Sequence, residues 1–154
     1  MTAPNEPTGA LPPSLDKVLR RFSGLGREEK MAALVSLAQK LPPAPERLVE
    51  GAGPAADVPE CQTPLRLFAE LVDGGMQFSA QINVRQSPTV AAFLALVFSA
   101  VNGQPPAVTL AIPTDFVRTV MQSLGLGTRE VGLEAIVARL KQHARAAATG
   151  SLNR

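Results

Sequence analysis

Cys61 is the only cysteine in this 154-residue sequence and the residue best suited to covalent chemistry. A lone thiol cannot form a disulfide within its own chain. It is therefore either a small buried hydrophobe, since free cysteines are among the most buried residues, or a reactive thiol on a loop. Polar neighbours and two prolines, Pro59 and Pro64, favour an exposed turn. The local sequence leaves both alternatives open.

His143 is the only histidine, which limits the other reactions the chain could support. One Cys and one His about eighty residues apart do not make a tetrahedral metal site without carboxylates from unrelated places, so no metal is predicted. No phosphate-binding glycine pattern occurs, so no nucleotide cofactor is predicted. A hydrolytic triad or a Cys–His pair would need His143, which is more simply interpreted as a solvated residue near a helix end.

The sequence also places no base beside Cys61. A thiol on a loop without its own base suits a carrier that receives an activated group from another protein. This favours an accessory protein over a stand-alone enzyme.

Composition excludes several classes of partner. The net charge is only +2, Tyr and Trp are absent and no basic block stands out, which argues against nucleic-acid binding. The most apolar run, residues 91–101, is about half as long as the roughly 20 residues that span a bilayer. No secretory signal precedes it. The sequence therefore predicts a soluble, cytoplasmic protein that binds no membrane.

The N-terminal half predicts helices and loops. Residues 1–13 and 149–154 are predicted to be flexible tails that flank a single domain, residues 14–148. A short helix should begin at Ser14 and end at Gly24. A second helix should span residues 26–40, with an apolar face formed by Met31, Leu34, Val35 and Ala38. Residues 51–57, rich in Gly, Pro and Ala, should form a movable loop that leads into Cys61.

The rest of the chain predicts a hairpin followed by helices. Residues 65–72 and 76–84 are predicted to be strands, and the Asp73-Gly74-Gly75 turn joins them, with glycine supplying the positive φ. Ser87 and Pro88 should begin a buried helix that ends at Asn102-Gly103. Two further helices should follow, ending near residues 124 and 148. The predicted fold class is α+β: a small antiparallel sheet, residues 65–84, packed on one face by helices.

The chain resembles the SufE family over roughly residues 14–147, because it contains a set of short motifs in the order in which that family carries them. The most specific are Cys61-Gln62-Thr63 and the Arg129-x-x-Gly132-Leu133 step. The others are Leu41-Pro42, Pro45-Glu46-Arg47-Leu48, Asp73-Gly74-Gly75, Ser87-Pro88-Thr89, Asn102-Gly103-Gln104-Pro105, Pro113-Thr114-Asp115-Phe116-Val117 and Leu124-Gly125-Leu126.

The resemblance implies the α+β fold shared with IscU-like scaffolds and a role in iron–sulfur cluster assembly. Cys61 would accept sulfur as a persulfide from a SufS-like cysteine desulfurase, enhance that enzyme, and deliver the sulfur to a SufBCD-type scaffold. Pyridoxal phosphate would reside on the desulfurase, so this chain itself would need no cofactor. Glu60, Gln62 and Arg129 would support the site or contact the partner.

Three features depart from many members of the family. Glu60 stands where many members have Gly before the cysteine, Gln86-Ser87-Pro88 stands in place of an acidic turn, and Ala91-Ala92 stands in place of a Lys/Arg-Gly pair. The alternatives are a non-catalytic interaction domain with a buried Cys61, and a Cys-dependent hydrolase or transferase that uses His143. A homodimer is left open by the sequence.

Overall fold

The computed structural model describes residues 16–17, 20–22, 24–61, 64–124 and 130–150. Its elements are α1 Arg27–Ala38, α2 Glu46–Glu50, a 3-10 turn Pro54–Ala56, β1 Leu65–Val72, β2 Gly75–Ile82, α3 Pro88–Val101, α4 Pro106–Leu110, α5 Phe116–Leu124 and α6 Glu130–Ala148. Residues 16–17 and 20–22 are helical, where the sequence predicts the first helix. Ser14 and residues 1–13 lie outside the described part of the chain.

The two strands form the predicted antiparallel hairpin. Their register pairs Leu65 with Ile82 at the open end and Val72 with Gly75 at the turn. Asp73 and Gly74 both have positive φ, 51° and 81°, as in the type I′ turn that matches the twist of paired strands. The alternation predicted for β2 is confirmed, because its apolar residues are buried or half-buried and both its glutamines are exposed.

The outer edge of β2 is covered by the chain that follows α3. The side-chain amide of Asn102 accepts from the Phe78 N–H at 2.7 Å and donates to the Phe78 carbonyl at 3.0 Å. Beyond it, the Met76 N–H donates to the Gln104 carbonyl and the Gly103 N–H donates to the Met76 carbonyl, both at 2.8 Å. The edge that a two-stranded sheet would leave open is therefore paired here.

Replacing Asn102 with Ala is expected to destabilise the fold by about 1–3 kcal/mol, because both Phe78 backbone groups lose a partner in a half-buried place. Urea unfolding measures the loss. Asn102→Asp is the matched variant: it keeps the acceptor but removes the donor, so its effect should also be destabilising. A free energy of unfolding for Asn102→Ala equal to that of the wild type would contradict this role.

Helix α3 is the centre of the core. Eleven of its 14 residues are buried, as expected for a helix that is apolar all round. Ser87 and Pro88 take the predicted positions at its start, although the Ser87 hydroxyl makes no capping bond. At its end Asn102 is the C-cap and Gly103 has a φ of 82°. The helix packs against α1 and β2, so the predicted α+β class is confirmed.

The predicted inward face of α1 is partly wrong. Leu34 and Ala38 are buried, but Met31 and Val35 are 45% and 42% exposed. The side chains that complete the contact with the core are instead Ala33 and Leu37. Apolar side chains project from most sides of this helix, so the sequence periodicity does not determine which side faces the core. Packing against α3 does.

Salt bridges and helix contacts connect the remaining elements to this core. Arg47 of α2 makes a two-pronged salt bridge with Glu70 of β1, at 2.6 and 2.8 Å, and this holds the pKa of Glu70 below its ordinary value. Helix α4 packs along α6, and the Lys141 ammonium of α6 donates to the Ile112 carbonyl at 2.6 Å. Helix α6 is thereby fixed against the sheet and the core.

Candidate functional site

Cys61 lies in a turn that precedes β1. Its described residues are 58–61, and they are called the Cys61 turn below. Asp57 forms an isolated antiparallel bridge with Arg66 of β1. The Val58 N–H donates to the Leu65 carbonyl at 3.0 Å, which closes the base of the turn. Within it, the Cys61 N–H donates to the Val58 carbonyl at 3.1 Å. Gln62 lies outside the described residues.

Cys61 is buried, although its immediate neighbours in the turn are exposed. The backbone forms a turn in which Pro59 and Glu60 are exposed. The Cys61 residue is only 8% exposed and joins the hydrophobic core. Polar and proline neighbours predicted the turn, but they did not predict that Cys61 is turned inward.

A cleft of about 580 Å³ opens beside Cys61. Its apolar lining is Val58, Pro59, Cys61, Pro64, Leu65 and Ile82, and its polar lining is Asp57, Arg66, Gln81, Asn83 and Gln86. Cys61 therefore lies at the boundary between the core and an open cavity. A thiol in this place is largely sheltered from solvent, and the cleft lies directly beside it.

Two arginines hold the base of the turn. The Arg66 guanidinium contacts the Asp57 carboxylate at 3.1 Å and donates to the Ala52 carbonyl at 3.5 Å. Arg139 of α6 donates to the Asp57 carbonyl at 2.7 Å. These contacts, with the 3-10 turn, hold the 51–57 segment, which its composition predicts to be movable.

The other predicted site residues are only partly described. Glu60 is exposed beside Cys61, whereas Arg129, like Gln62, lies outside the described residues. Gln86 is exposed and lines the cleft. Ala91 and Ala92 are fully buried in α3.

Sequence reasoning missed Gly132 as a site residue. It lies in the first turn of α6, directly against the backbone of Cys61. The signal was present in the Arg129-x-x-Gly132-Leu133 motif, but no local pattern tells which residue a helical glycine contacts.

His143 is half-buried, not solvated as its place near a helix end predicts. Burial, and secondarily the positive charge of Arg139, hold the pKa of His143 below its ordinary value of 6.5. The residue is therefore neutral at pH 7. It does not line the cleft beside Cys61, so the structure does not bring the two residues of a Cys–His pair together there.

The lowered pKa of His143 predicts a pH-dependent stability. As the pH falls below about 6.5, the unfolded chain binds a proton at this residue before the folded chain does, so stability decreases. Urea unfolding at pH 7.5 and pH 5.5 measures the decrease, and His143→Gln should make it smaller. Equal decreases in the variant and the wild type would show that another group causes the effect.

Two findings concern metals and membranes. Among the described residues, no group of three or more His, Cys, Asp or Glu side chains could hold a metal ion. Within the same residues, every helix is too short or too polar to cross a membrane.

The sequence matches the family model of SufE, an Fe–S metabolism associated domain, over residues 16–144. Two uncharacterized SufE-like proteins of Mycobacterium tuberculosis, from strains CDC 1551 and H37Rv, are each 33% identical over 151 residues, which is 96% of this chain and 99% of theirs. The chain belongs to the SufE family and has a role in Fe–S metabolism.

A solved structure supports the fold. The solution structure of a hypothetical protein from Thermus thermophilus superposes with a TM-score of 0.76 at 31% identity, covering 91% of this chain and 99% of that one. The predicted resemblance and fold are thus confirmed. Family membership points to a cysteine desulfurase as an interaction partner.

Proposed function

We propose that this protein accepts sulfur from a SufS-like cysteine desulfurase onto Cys61 and delivers it to a SufBCD-type scaffold. The observation that carries the proposal is the position of Cys61, the only cysteine of a SufE-family chain, in a turn beside an open cleft. The pyridoxal phosphate of the reaction belongs to the desulfurase, and this chain contributes the acceptor sulfur.

The transfer is a thiol–disulfide-type exchange. The Cys61 thiolate attacks the outer sulfur of a persulfide on the desulfurase cysteine, and a new S–S bond forms at Cys61 as the old one breaks. The desulfurase cysteine leaves as a thiolate and takes up the proton that Cys61 released. One sulfur atom moves, and the pair of proteins undergoes no net oxidation.

The surroundings of Cys61 suit a carrier of a reactive sulfur. Burial limits access of oxidants and small thiols, which would otherwise consume an exposed persulfide. No second cysteine is present to form an intramolecular disulfide with the carrier sulfur. The exposed Glu60 carboxylate next to Cys61 is available for contact with the desulfurase. Gln62 directly follows Cys61 in the sequence, and Arg129 directly precedes α6. We propose that both residues also contact the desulfurase.

Intact mass spectrometry tests the proposal directly. The chain is incubated with a cysteine desulfurase, pyridoxal phosphate and cysteine, and its mass is recorded before and after treatment with dithiothreitol. We expect one added sulfur that dithiothreitol removes, and none on Cys61→Ser. His143→Ala should gain sulfur as the wild type does, since His143 does not line the cleft. An unmodified wild-type chain beside its cognate desulfurase would refute the acceptor role.

The burial of Cys61 favours one alternative, an interaction domain that uses no thiol chemistry. Iodoacetamide labelling of the native protein separates the two. A carrier whose turn opens is alkylated slowly but completely under native conditions, whereas a purely structural core thiol is alkylated only when the whole protein unfolds.

A further inference from the structure

The backbone of Gly132 in α6 lies close to the backbone of Cys61. A methyl group at position 132 would place its carbon 3.2 Å from the Cys61 α-carbon, 3.6 Å from its β-carbon and 3.5 Å from the Glu60 carbonyl oxygen. The closest of these contacts is tighter than ordinary van der Waals packing. It involves backbone, which cannot rotate away as a flexible side chain can.

Helix α6 is not free to withdraw from this contact. Arg139 lies seven residues after Gly132, on the same face of the helix, and donates to the Asp57 carbonyl at the base of the Cys61 turn. Between them Leu133 and Ile136 are at most 1% exposed in the core. A methyl group at position 132 would therefore require the Cys61 backbone to shift away from α6 by a few tenths of an ångström.

Glycine is otherwise a poor choice at this place. Inside a helix it is less favourable than alanine because it loses more backbone freedom on folding. Gly132 has no positive φ that would require glycine. The close approach of Cys61 is thus the feature of the structure that explains the missing side chain.

We propose that Gly132 is a positioning residue that sets the balance between sheltered and open arrangements of the Cys61 turn. With no side chain at position 132, the turn closes against α6 and the sulfur is held inward. A methyl group there penalises the closed arrangement only, so the open population increases. The benefit of this positioning for the protein rests on the proposed function in sulfur transfer. The ratio of sheltered to open arrangements can nevertheless be measured without any partner protein.

Alkylation of the native protein tests this role. The rate at which iodoacetamide modifies Cys61 is measured by intact mass for the wild type and for Gly132→Ala. We expect the variant to react roughly three- to tenfold faster, since overpacking raises the free energy of the closed arrangement. The thermal midpoint should change little, because alanine favours the helix while the contact with the turn is lost.

Two controls separate positioning from general destabilisation. Gly53→Ala makes the same chemical change in open space, with no atom within 4 Å, and should react at the wild-type rate. Val137→Ala removes buried volume from α6 at a position that lines a separate cavity with Pro113 and Val117, so it should lower the thermal midpoint and leave the alkylation rate unchanged. Hydrogen exchange should increase in residues 58–61 of Gly132→Ala alone.

A rate for Gly132→Ala within twofold of the wild type would overturn the proposal, as would an equal increase in Val137→Ala. The outcome is distinguishable from that of the sulfur-transfer experiment. If Gly132→Ala reacts faster but no sulfur is ever accepted, the positioning role stands and the proposed function fails. If sulfur is accepted and the rates are equal, the function stands and the positioning role fails.

Discussion

Cys61→Ser is expected to lose all stimulation of the partner desulfurase. The serine hydroxyl cannot attack a persulfide or hold its sulfur, so the desulfurase must discharge without an acceptor. In a steady-state assay of cysteine consumption, turnover with the variant should equal turnover of the desulfurase alone. The wild-type chain should increase it in proportion to its concentration until saturation.

The fold of the variant must be checked independently, because Cys61 is part of the core. Serine buries a hydroxyl there, at a cost of about 1–3 kcal/mol if it finds no partner. Cys61→Ala avoids that cost and serves as the matched variant with the same chemical deficiency. Stimulation that survives in both folded variants would exclude Cys61 as the carrier and favour the interaction-domain alternative.

Gly75→Ala is expected to produce the largest loss of stability among the single-methyl changes considered. Its β-carbon would lie 2.9 Å from both the carbonyl carbon and the carbonyl oxygen of Gly103. Relief requires the 102–104 segment to move away, which breaks its hydrogen bonds to Met76 and Phe78. Overpacking and lost hydrogen bonds together should cost about 2–4 kcal/mol, measured by urea unfolding.

Gly53→Ala is the control for this change as well. Gly53 has a φ of −103° and no neighbouring atom within 4 Å, so alanine should alter stability by at most about 0.5 kcal/mol. Equal stabilities of the two variants would show that the approach of Gly75 to Gly103 is not a constraint.

The turn motif predicted a positive φ at its glycines, but Asp73 and Gly74 carry the positive angles and Gly75 does not.

The candidate thiol and its surroundings come from different levels of the structure. The sequence contains a single cysteine, so the proposed carrier sulfur is Cys61 whatever the fold. Its surroundings are formed by α6, the cleft and the two arginines that contact Asp57. Family membership supports a role in Fe–S metabolism.

Local patterns in the sequence were sufficient for the elements of this fold. Alternating side chains predicted β2, Asp73-Gly74 predicted the reversal of direction, and an unbroken apolar run predicted that α3 is central. Each of these signals depends on residues a few positions apart. The order of the short motifs along the chain was likewise enough to identify the family from the sequence.

Tertiary structure alone decided how these elements meet. The rotation of α1 that exposes Met31, the pairing of the Asn102 amide with Phe78, and the contact of Gly132 with Cys61 all join residues distant in sequence. Such contacts depend on how complete helices and strands pack, and several rotations or pairings are compatible with one local pattern. The sequence by itself thus determined which residue is the candidate for sulfur chemistry, and packing decided that its side chain is buried beside a cleft.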